Sequence, residues 1–280
     1  MRYYYIKIII NTTHKSSYFT GSMFRGAFGY ALKKVTCINP SYRCENCFAK
    51  DSCLYYSFYE EQNIIHNYRF EIELGTNNFD FGLYIFEDTT KELPYILSAL
   101  EIMLSKNGLT KNNYTFNDIK IVIDSTIVYK NQSFLNINIL PTYFQLDTTY
   151  QDVKIKLQTP IRIKKDNKLL KDNIDIEDIL RSINQRYMKL VDNKDIYKLN
   201  YTPNYTPNYT NQLKELYHKP LLRNSNRQKS KMNMDGIMGE IIIKGLDKES
   251  YRLLKIGEII GVGKQSVMGL GQIKLEEIDE

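Results

Sequence analysis

All the cysteines of the chain fall in one short window, Cys37-x6-Cys44-x2-Cys47-x5-Cys53. Four thiolates with a central Cys-x2-Cys can close a tetrahedral shell around a soft cation. Zinc is the default occupant, and an iron–sulfur cluster uses the same thiolate set. Two disulfides would need an oxidising compartment, and nothing in the sequence points to export. Thiols that stay free are the remaining alternative. Four cysteines leave no open coordination position, so a metal held here would be structural.

Five of the 14 glycines lie between Gly257 and Gly271, in GEIIGVGKQSVMGLGQ. Such a loop lets backbone N–H groups come close to phosphates, and its plainer reading is a tight turn. It is not a P-loop: Gly263-Lys264 is preceded by Glu258 where that motif needs glycine, and Gln265 stands where it needs Ser or Thr. The dinucleotide fingerprint fails as well, which demotes nucleotide hydrolysis. Upstream, Arg223-Asn-Ser-Asn-Arg227-Gln228-Lys229-Ser-Lys231-Met-Asn-Met-Asp-Gly236 spaces cations among amides and hydroxyls. Arginine forks suit phosphates and base edges, and lysine supplies point charge. The three histidines, His14, His66 and His218, form no triad and no metal pattern. His14 sits beside Lys15 and is a candidate for proton transfer; His66 lies among apolar residues and reads as core; His218 adjoins the basic segment.

Charge placement supports a polyanion partner. The chain has 280 residues and a net charge of +6. Residues 1–50 carry +7 and residues 216–234 carry +5, which leaves −6 on the rest. Two basic segments in an otherwise acidic protein suggest nucleic acid; solvated faces that never meet are the bland alternative. No run of roughly 18 apolar residues is present, so no membrane span is expected. The N-terminal apolar stretch lacks a small-residue cleavage site and reads as a strand, consistent with a cytoplasmic protein.

The elements that must position these residues follow from periodicity. Arg2–Ile10 reads as a strand, Gly21–Val35 as a helix, His66–Leu74 and Phe79–Phe86 as strands, Glu92–Leu104 as a helix, and Ile119–Tyr129 as a strand with Ser133–Ile139 pairing back. The order βαββαβ is the ferredoxin-like split unit. A boundary is expected at Pro141 and the polar stretch that follows, giving domains 1–141 and 150–280. The second half reads Val153–Ile163 strand, Ile176–Val191 helix, Met234–Lys244 strand, Lys248–Leu254 short helix and Leu270–Leu275 strand, with one strand unplaced. The Asn-Tyr-Thr-Pro repeat at 200–211 has no core pattern and reads as an exposed, mobile loop. The fold class is thus α+β, two tandem ferredoxin-like (RRM-like) domains with helices on one face of antiparallel sheets. The first has the four-Cys loop (37–53) inserted and the second carries the Gly-rich loop (257–271).

These motifs in order resemble a known family. GSMFRGAFGYALKKVTC with the Cys spacing and Cys53-Leu-Tyr, Leu93-Pro94-Tyr95, Gly108-Leu109, Leu157-x-Thr-Pro160-x-Arg162-x-Lys164, Arg223-x-Ser225-x-Arg227-Gln228-x-x-Lys231-Met232-x-x-x-Gly236, and Gly261-Val-Gly-Lys264…Gly269-Leu-Gly271 are similar to the CRISPR-associated precursor-crRNA processing endoribonucleases of the repeat-associated (RAMP) superfamily. The resemblance implies cleavage of CRISPR repeat RNA without a catalytic metal, by ribose 2′-OH attack, to a 2′,3′-cyclic phosphate and mature crRNA. It places Arg25, Arg223, Arg227, Gln228, Lys229, Lys231 and Lys264 on RNA. Related sequences can carry a histidine in the first helix where this chain has Tyr30. With an ordinary pKa of about 10, tyrosine needs a nearby cation such as Lys33 or Lys34 to act as a base. His14 is the other proton-transfer candidate. The departure also admits a non-catalytic RNA-binding subunit of a CRISPR effector complex. A stand-alone metal-binding interaction module rests on the cysteines alone, and a homodimer is compatible with the sequence.

Overall fold

A computed structural model of the chain describes residues 1–110, 112–135, 138–192, 206–225 and 230–278. It divides into two compact units, Met1–Tyr143 and Phe144–Glu280, each built on its own sheet.

In the first unit β1 (Arg2–Ile10), α1 (Gly21–Thr36), β2 (Tyr68–Glu71), β3 (Phe81–Phe86), α2 (Leu93–Glu101) and β4 (Ile119–Ile123) follow in sequence. The strands lie in the order β2-β3-β1-β4, all antiparallel, which is the ferredoxin-like arrangement. β5 (Thr126–Lys130) and β6 (Ser133–Phe134) extend the sheet past β4, and β7 (Thr142–Tyr143) pairs with β1. The alternation in β1 buries Tyr4, Ile6, Ile8 and Ile10 on one face. Onto that side α1 lays Phe24, Phe28 and Leu32, four residues apart; Phe24 lies 4.2 Å from Phe81 and Phe28 meets Phe70 edge-on at 5.8 Å. Each fully buried ring contributes on the order of 2–3 kcal/mol, enough to fix the helix to the sheet. One expected strand, Ile119–Tyr129, is in fact the hairpin β4–β5. Asp124 and Ser125 have φ of 46° and 67°, and two successive left-handed residues make a tight hairpin turn.

The cysteine loop leaves α1 at Cys37 and returns through a short helical turn, Tyr56–Glu60. Phe58 is buried there and stacks on Tyr68 at 4.1 Å, while the Tyr59 hydroxyl donates to the Arg25 carbonyl at 2.7 Å. Gly29 on α1 makes this approach possible, because a Cβ there would lie 2.5 Å from the Tyr59 ring.

The second unit repeats the plan. β8 (Val153–Ile161) leads to a small hairpin, β9 (Lys164–Lys165) and β10 (Lys168–Leu169), and then to α3 (Ile176–Asp192). β11 (Asn211–Lys219), the hairpin β12 (Leu222–Ser225) and β13 (Ser230–Asn233), β14 (Gly236–Lys244), α4 (Lys248–Ile260) and β15 (Ile273–Glu277) complete it. The sheet order β11-β14-β8-β15 is again ferredoxin-like and antiparallel. β11 is the strand that the sequence pattern does not reveal: it is an edge strand with no buried side chain, defined by nine register pairs to β14. α4 runs on to Ile260, beyond the Leu254 that periodicity suggests. Asp247 caps it by accepting from the Glu249 and Ser250 amides, and Gly257, which reads as loop, lies inside the helix against Ile183. Residues 200–205 of the Asn-Tyr-Thr-Pro repeat lie outside the described residues. No helix among the described residues is long and apolar enough to cross a membrane.

The two glycines of α1 make opposite predictions. Gly26 has nothing within 4 Å of an added Cβ, so Gly26→Ala should stabilise by roughly 0.5–1 kcal/mol through helix propensity. Gly29→Ala should destabilise by about 1–3 kcal/mol, because the overlap with a buried ring outweighs that gain. Urea unfolding midpoints of the two variants check the signs.

Candidate nucleic-acid interface

In the second unit the Gly-rich loop is a self-crossing structure braced by the segment that leaves β8. α4 ends at Gly261 (φ 78°), and the chain turns through Gly263 (75°), Gln265 (64°), Gly269 (79°) and Gly271 (72°). The Val262 amide donates to the Gly271 carbonyl at 2.8 Å, and a Cβ on Gly271 would sit 1.8 Å from the Val262 carbonyl oxygen. Glycine is therefore required where the strands of the loop cross. Lys264 N–H donates to the Arg162 carbonyl (2.8 Å), Gly271 N–H to the Pro160 carbonyl (3.1 Å), and Gly263 N–H to Ser182 Oγ on α3 (2.9 Å). Thr159 Oγ1 donates to the Gly269 carbonyl and accepts from the Gln272 amide, both at 2.9 Å. Most of these amides are thus engaged within the protein, which changes the expectation from the sequence. The loop is a rigid mount, and Lys264, with its side chain exposed, is the group it presents.

The described residues of the basic segment form the paired strands β12 and β13. Arg227, Gln228 and Lys229 lie outside the described residues. Lys231 is in β13, paired with Asn224. Arg223 is half-buried, and its guanidinium reaches Met268 Sδ (3.3 Å) and Met232 Sδ (2.9 Å), tying the hairpin to the Gly-rich loop. The neck of the hairpin is clasped by Asp235, a residue the sequence reading did not single out. Its carboxylate accepts from the Leu221 amide (2.7 Å) and from Asn233 Nδ2 (2.6 Å), and its carbonyl accepts from the Arg162 guanidinium. His218 Nε2 stands 3.6 Å from Asp235 Oδ2. Burial would raise the Asp235 carboxyl, but these donors, His218 and Arg162 win and hold it below the usual carboxylate range. On the sheet itself, Lys154 and Lys156 are matched by Glu240 (3.4 Å) and Glu276 (2.7 Å). Those two lysines are neutralised by acidic partners on neighbouring strands.

In the first unit the candidate residues have separate partners. His14 is exposed and stacks on Tyr114 at 4.1 Å. Tyr30 is 62% exposed, with Lys34 Nζ 4.9 Å over its ring and Lys34 also bonded to Asn107 Oδ1. Lys33 turns to the cysteine loop instead: its Nζ lies 4.8 Å over Tyr55 and it hydrogen-bonds Cys44. Arg25 is half-buried over the Tyr59 ring at 4.7 Å and bonds Tyr68. His66 Nδ1 lies 3.0 Å from the Ser57 carbonyl oxygen, in keeping with a structural histidine. The four cysteines are unpaired and line one cavity of about 260 Å³ together with Tyr95, Tyr55 and Arg43. Burial pushes the Cys44 thiol up, partly offset by Lys33. Among the described residues no group of three or more His, Cys, Asp or Glu side chains is gathered to hold a metal ion. As placed, the thiols share a cavity without forming a coordination shell.

The Asp235 clasp has a pH signature. A carboxyl lowered in the folded state adds stability above its unfolded pKa, about 3.9, and loses it as the pH falls through the folded value. Asp235→Asn should therefore be less stable than the parent near neutrality, and the gap should close as the pH falls below about 4. Thermal unfolding across that range tests the assignment.

Comparison with known proteins agrees with this layout. Residues 155–273 match the family model of the CRISPR-associated endoribonuclease Cas6, and residues 1–138 match an N-terminal domain family. An uncharacterized protein of Archaeoglobus fulgidus is 22% identical over 276 residues, covering 92% of this chain and 91% of that one. Among solved structures, a Cas6 product complex superposes with a TM-score of 0.60 at 12% identity, covering 98% of this chain and 99% of the other. Thermus thermophilus Cas6 gives 0.54 at 10% identity over 98% of both chains, and a Cas6 substrate mimic complex gives 0.52 at 12% identity over 99% and 100%. These identities speak for the shared fold, and the family model for the second unit. Residues 155–273 therefore carry a Cas6 domain, and the chain has the fold of the Cas6 proteins along its length.

Proposed function

We propose that the chain cuts CRISPR repeat RNA without a divalent ion. The ribose 2′-oxygen attacks the adjacent phosphorus, the bond to the 5′-oxygen breaks, and the products are a 2′,3′-cyclic phosphate and a free 5′-OH. Such a reaction needs a base for the 2′-OH, a proton for the leaving oxygen, and cations for the charge on the phosphorane. The nucleophile belongs to the RNA, so no metal-bound water is called for. The observation that carries the reading is the basic hairpin and exposed Lys264, mounted on a Gly-rich loop braced by Thr159, Pro160 and Arg162, inside the Cas6-matching domain. Arg223, Lys231 and Lys264 are assigned to RNA in the second unit, with Arg227, Gln228 and Lys229 in the same segment. Arg25 serves the first unit, and His14 and Tyr30, with Lys33 or Lys34, are its proton-transfer candidates.

A specific observation favours a second reading, a non-catalytic RNA-binding subunit of an effector complex. Tyr30 stands where the sequences it resembles can carry histidine, and its cation Lys34 lies over the ring face. The cysteine loop is assigned a structural zinc on the strength of its spacing and shared cavity, with closure of the four thiols on the ion coupled to their deprotonation.

In EDTA, 5′-labelled all-ribose repeat RNA should be cut, and RNA with 2′-deoxyribose at the cut position should not. Binding without cutting would establish the second reading, and cutting of the deoxy substrate would end the 2′-OH mechanism. Lys264→Ala should shallow the slope of log K against log salt by about 0.7–0.9 per lost phosphate contact; an unchanged slope would make Lys264 a solvated cation. Emission spectroscopy of the purified protein should find about one zinc per chain, released when the thiols are titrated. No metal with four titratable thiols would remove the zinc assignment.

A further inference from the structure

We propose that His218, held beside Asp235, is a proton-transfer residue for RNA cleavage supplied by the second unit; this rests on the cleavage reading above. His218 is the last residue but one of β11, next to the point where the basic hairpin begins. Its side chain is 35% exposed, with Nε2 facing Asp235 Oδ2 at 3.6 Å, an ion-pair separation. Among the described residues Nδ1 makes no hydrogen bond, so that nitrogen is open to a ligand.

Asp235 is suited to the supporting role. The Leu221 amide and Asn233 Nδ2 fix its carboxylate, and Arg162 grips its carbonyl, so the group is anchored on two sides. It keeps its negative charge, which stabilises the imidazolium formed when His218 takes a proton. Cations stand close by. Arg162 bonds the Asp235 carbonyl, and the Lys264 amide bonds the Arg162 carbonyl. Arg162 is the guanidinium nearest the pair, and Lys264 is mounted on the segment that Arg162 braces, so these are the cations assigned to the charge that develops on phosphorus. The charged groups gathered at this corner are Asp235 from the turn before β14, which faces His218, and Arg162 from the segment after β8, which bonds Asp235; Lys219 follows His218 in the strand.

His14 differs in each respect. It is exposed on a loop, one ring face is covered by Tyr114, and among the described residues it has no acidic partner.

The step balances as follows. Neutral His218 accepts the 2′-OH proton at Nδ1 as the bond from O2′ to phosphorus forms. The bond from phosphorus to O5′ breaks with its electron pair on the oxygen, which takes a proton from water. The imidazolium then returns its proton to solvent, neutralising the hydroxide. Asp235 acts through His218 and is a positioning residue.

The competing account makes the pair a staple between β11 and the hairpin neck, and the two differ in what a substitution costs. The test is single-turnover cleavage of all-ribose CRISPR repeat RNA in EDTA by the full chain, with RNA affinity and melting temperature measured on the same samples. His218→Gln and His218→Ala should cut at least about 100-fold more slowly, with RNA affinity within about twofold of the parent. Added imidazole should partly restore His218→Ala, and the rise of rate with pH in the parent should be lost in His218→Gln. Asp235→Asn should slow cutting while leaving the histidine in place. Parental rates in both histidine variants, or losses that only follow weakened binding or melting, would overturn the proposal. If the parent itself does not cut, the cleavage reading fails and this assignment falls with it. Slow variants beside an active parent test His218 alone.

Discussion

A short run of backbone hydrogen bonds between residues 159–163 and 261–272 organises the candidate interface of the second unit. Where β8 ends, its carbonyls at Pro160 and Arg162 accept from Gly271 and Lys264, and the Thr159 hydroxyl bridges Gly269 and Gln272. The loop crosses itself at Val262 and Gly271, where no side chain fits. Met268, held in this loop, receives one arm of Arg223, and Arg162, held at the end of β8, reaches Asp235 at the neck of the hairpin. One strand end therefore positions the loop lysine, the basic hairpin and the His218–Asp235 pair. Ordering a flexible cationic segment costs conformational entropy at every contact, and this bracing removes much of that cost before a ligand arrives.

The first unit uses a different device. Its sheet and α1 are joined by buried aromatic rings, and the cysteine loop is attached by Phe58 and Tyr59 against Tyr68 and Gly29. Two cations that the sequence suggests for RNA or catalysis, Arg25 and Lys33, turn towards these tyrosines and Cys44. Their chemistry in the folded chain is that of partly desolvated cations on ring faces, which is favourable for packing and less available to a phosphate. Lys34 remains with Tyr30 and Asn107 at the other side of the helix.

Much of the architecture is legible in residue spacing. The βαββαβ order is visible in the first unit because each element has one buried face: Tyr4, Ile6, Ile8 and Ile10 in β1, and Phe24, Phe28 and Leu32 in α1. Where that asymmetry is missing, the pattern fails. β11 buries nothing, the Asp124-Ser125 turn lacks the glycine that usually marks a two-residue hairpin, and Gly257 looks like loop although it packs against Ile183 inside α4. At the site, Lys264 and the basic segment are marked by charge and glycine density. Asp235 is not, because a lone Asp in a polar stretch gains meaning only from the donors that converge on it.

The sequence by itself determined the composition of the interface: where the cations lie along the chain, which loop needs glycine, that four cysteines share one segment, and that the chain resembles a repeat-RNA nuclease family. Those properties depend on residue type and near-neighbour spacing. Only the tertiary structure decided which cations are free and which are engaged, that the Gly-rich loop directs its amides inward, and that His218 meets Asp235 across 17 positions of sequence. Such pairings depend on strand register and on a hairpin neck closing, and contacts between distant residues are set by the packed fold.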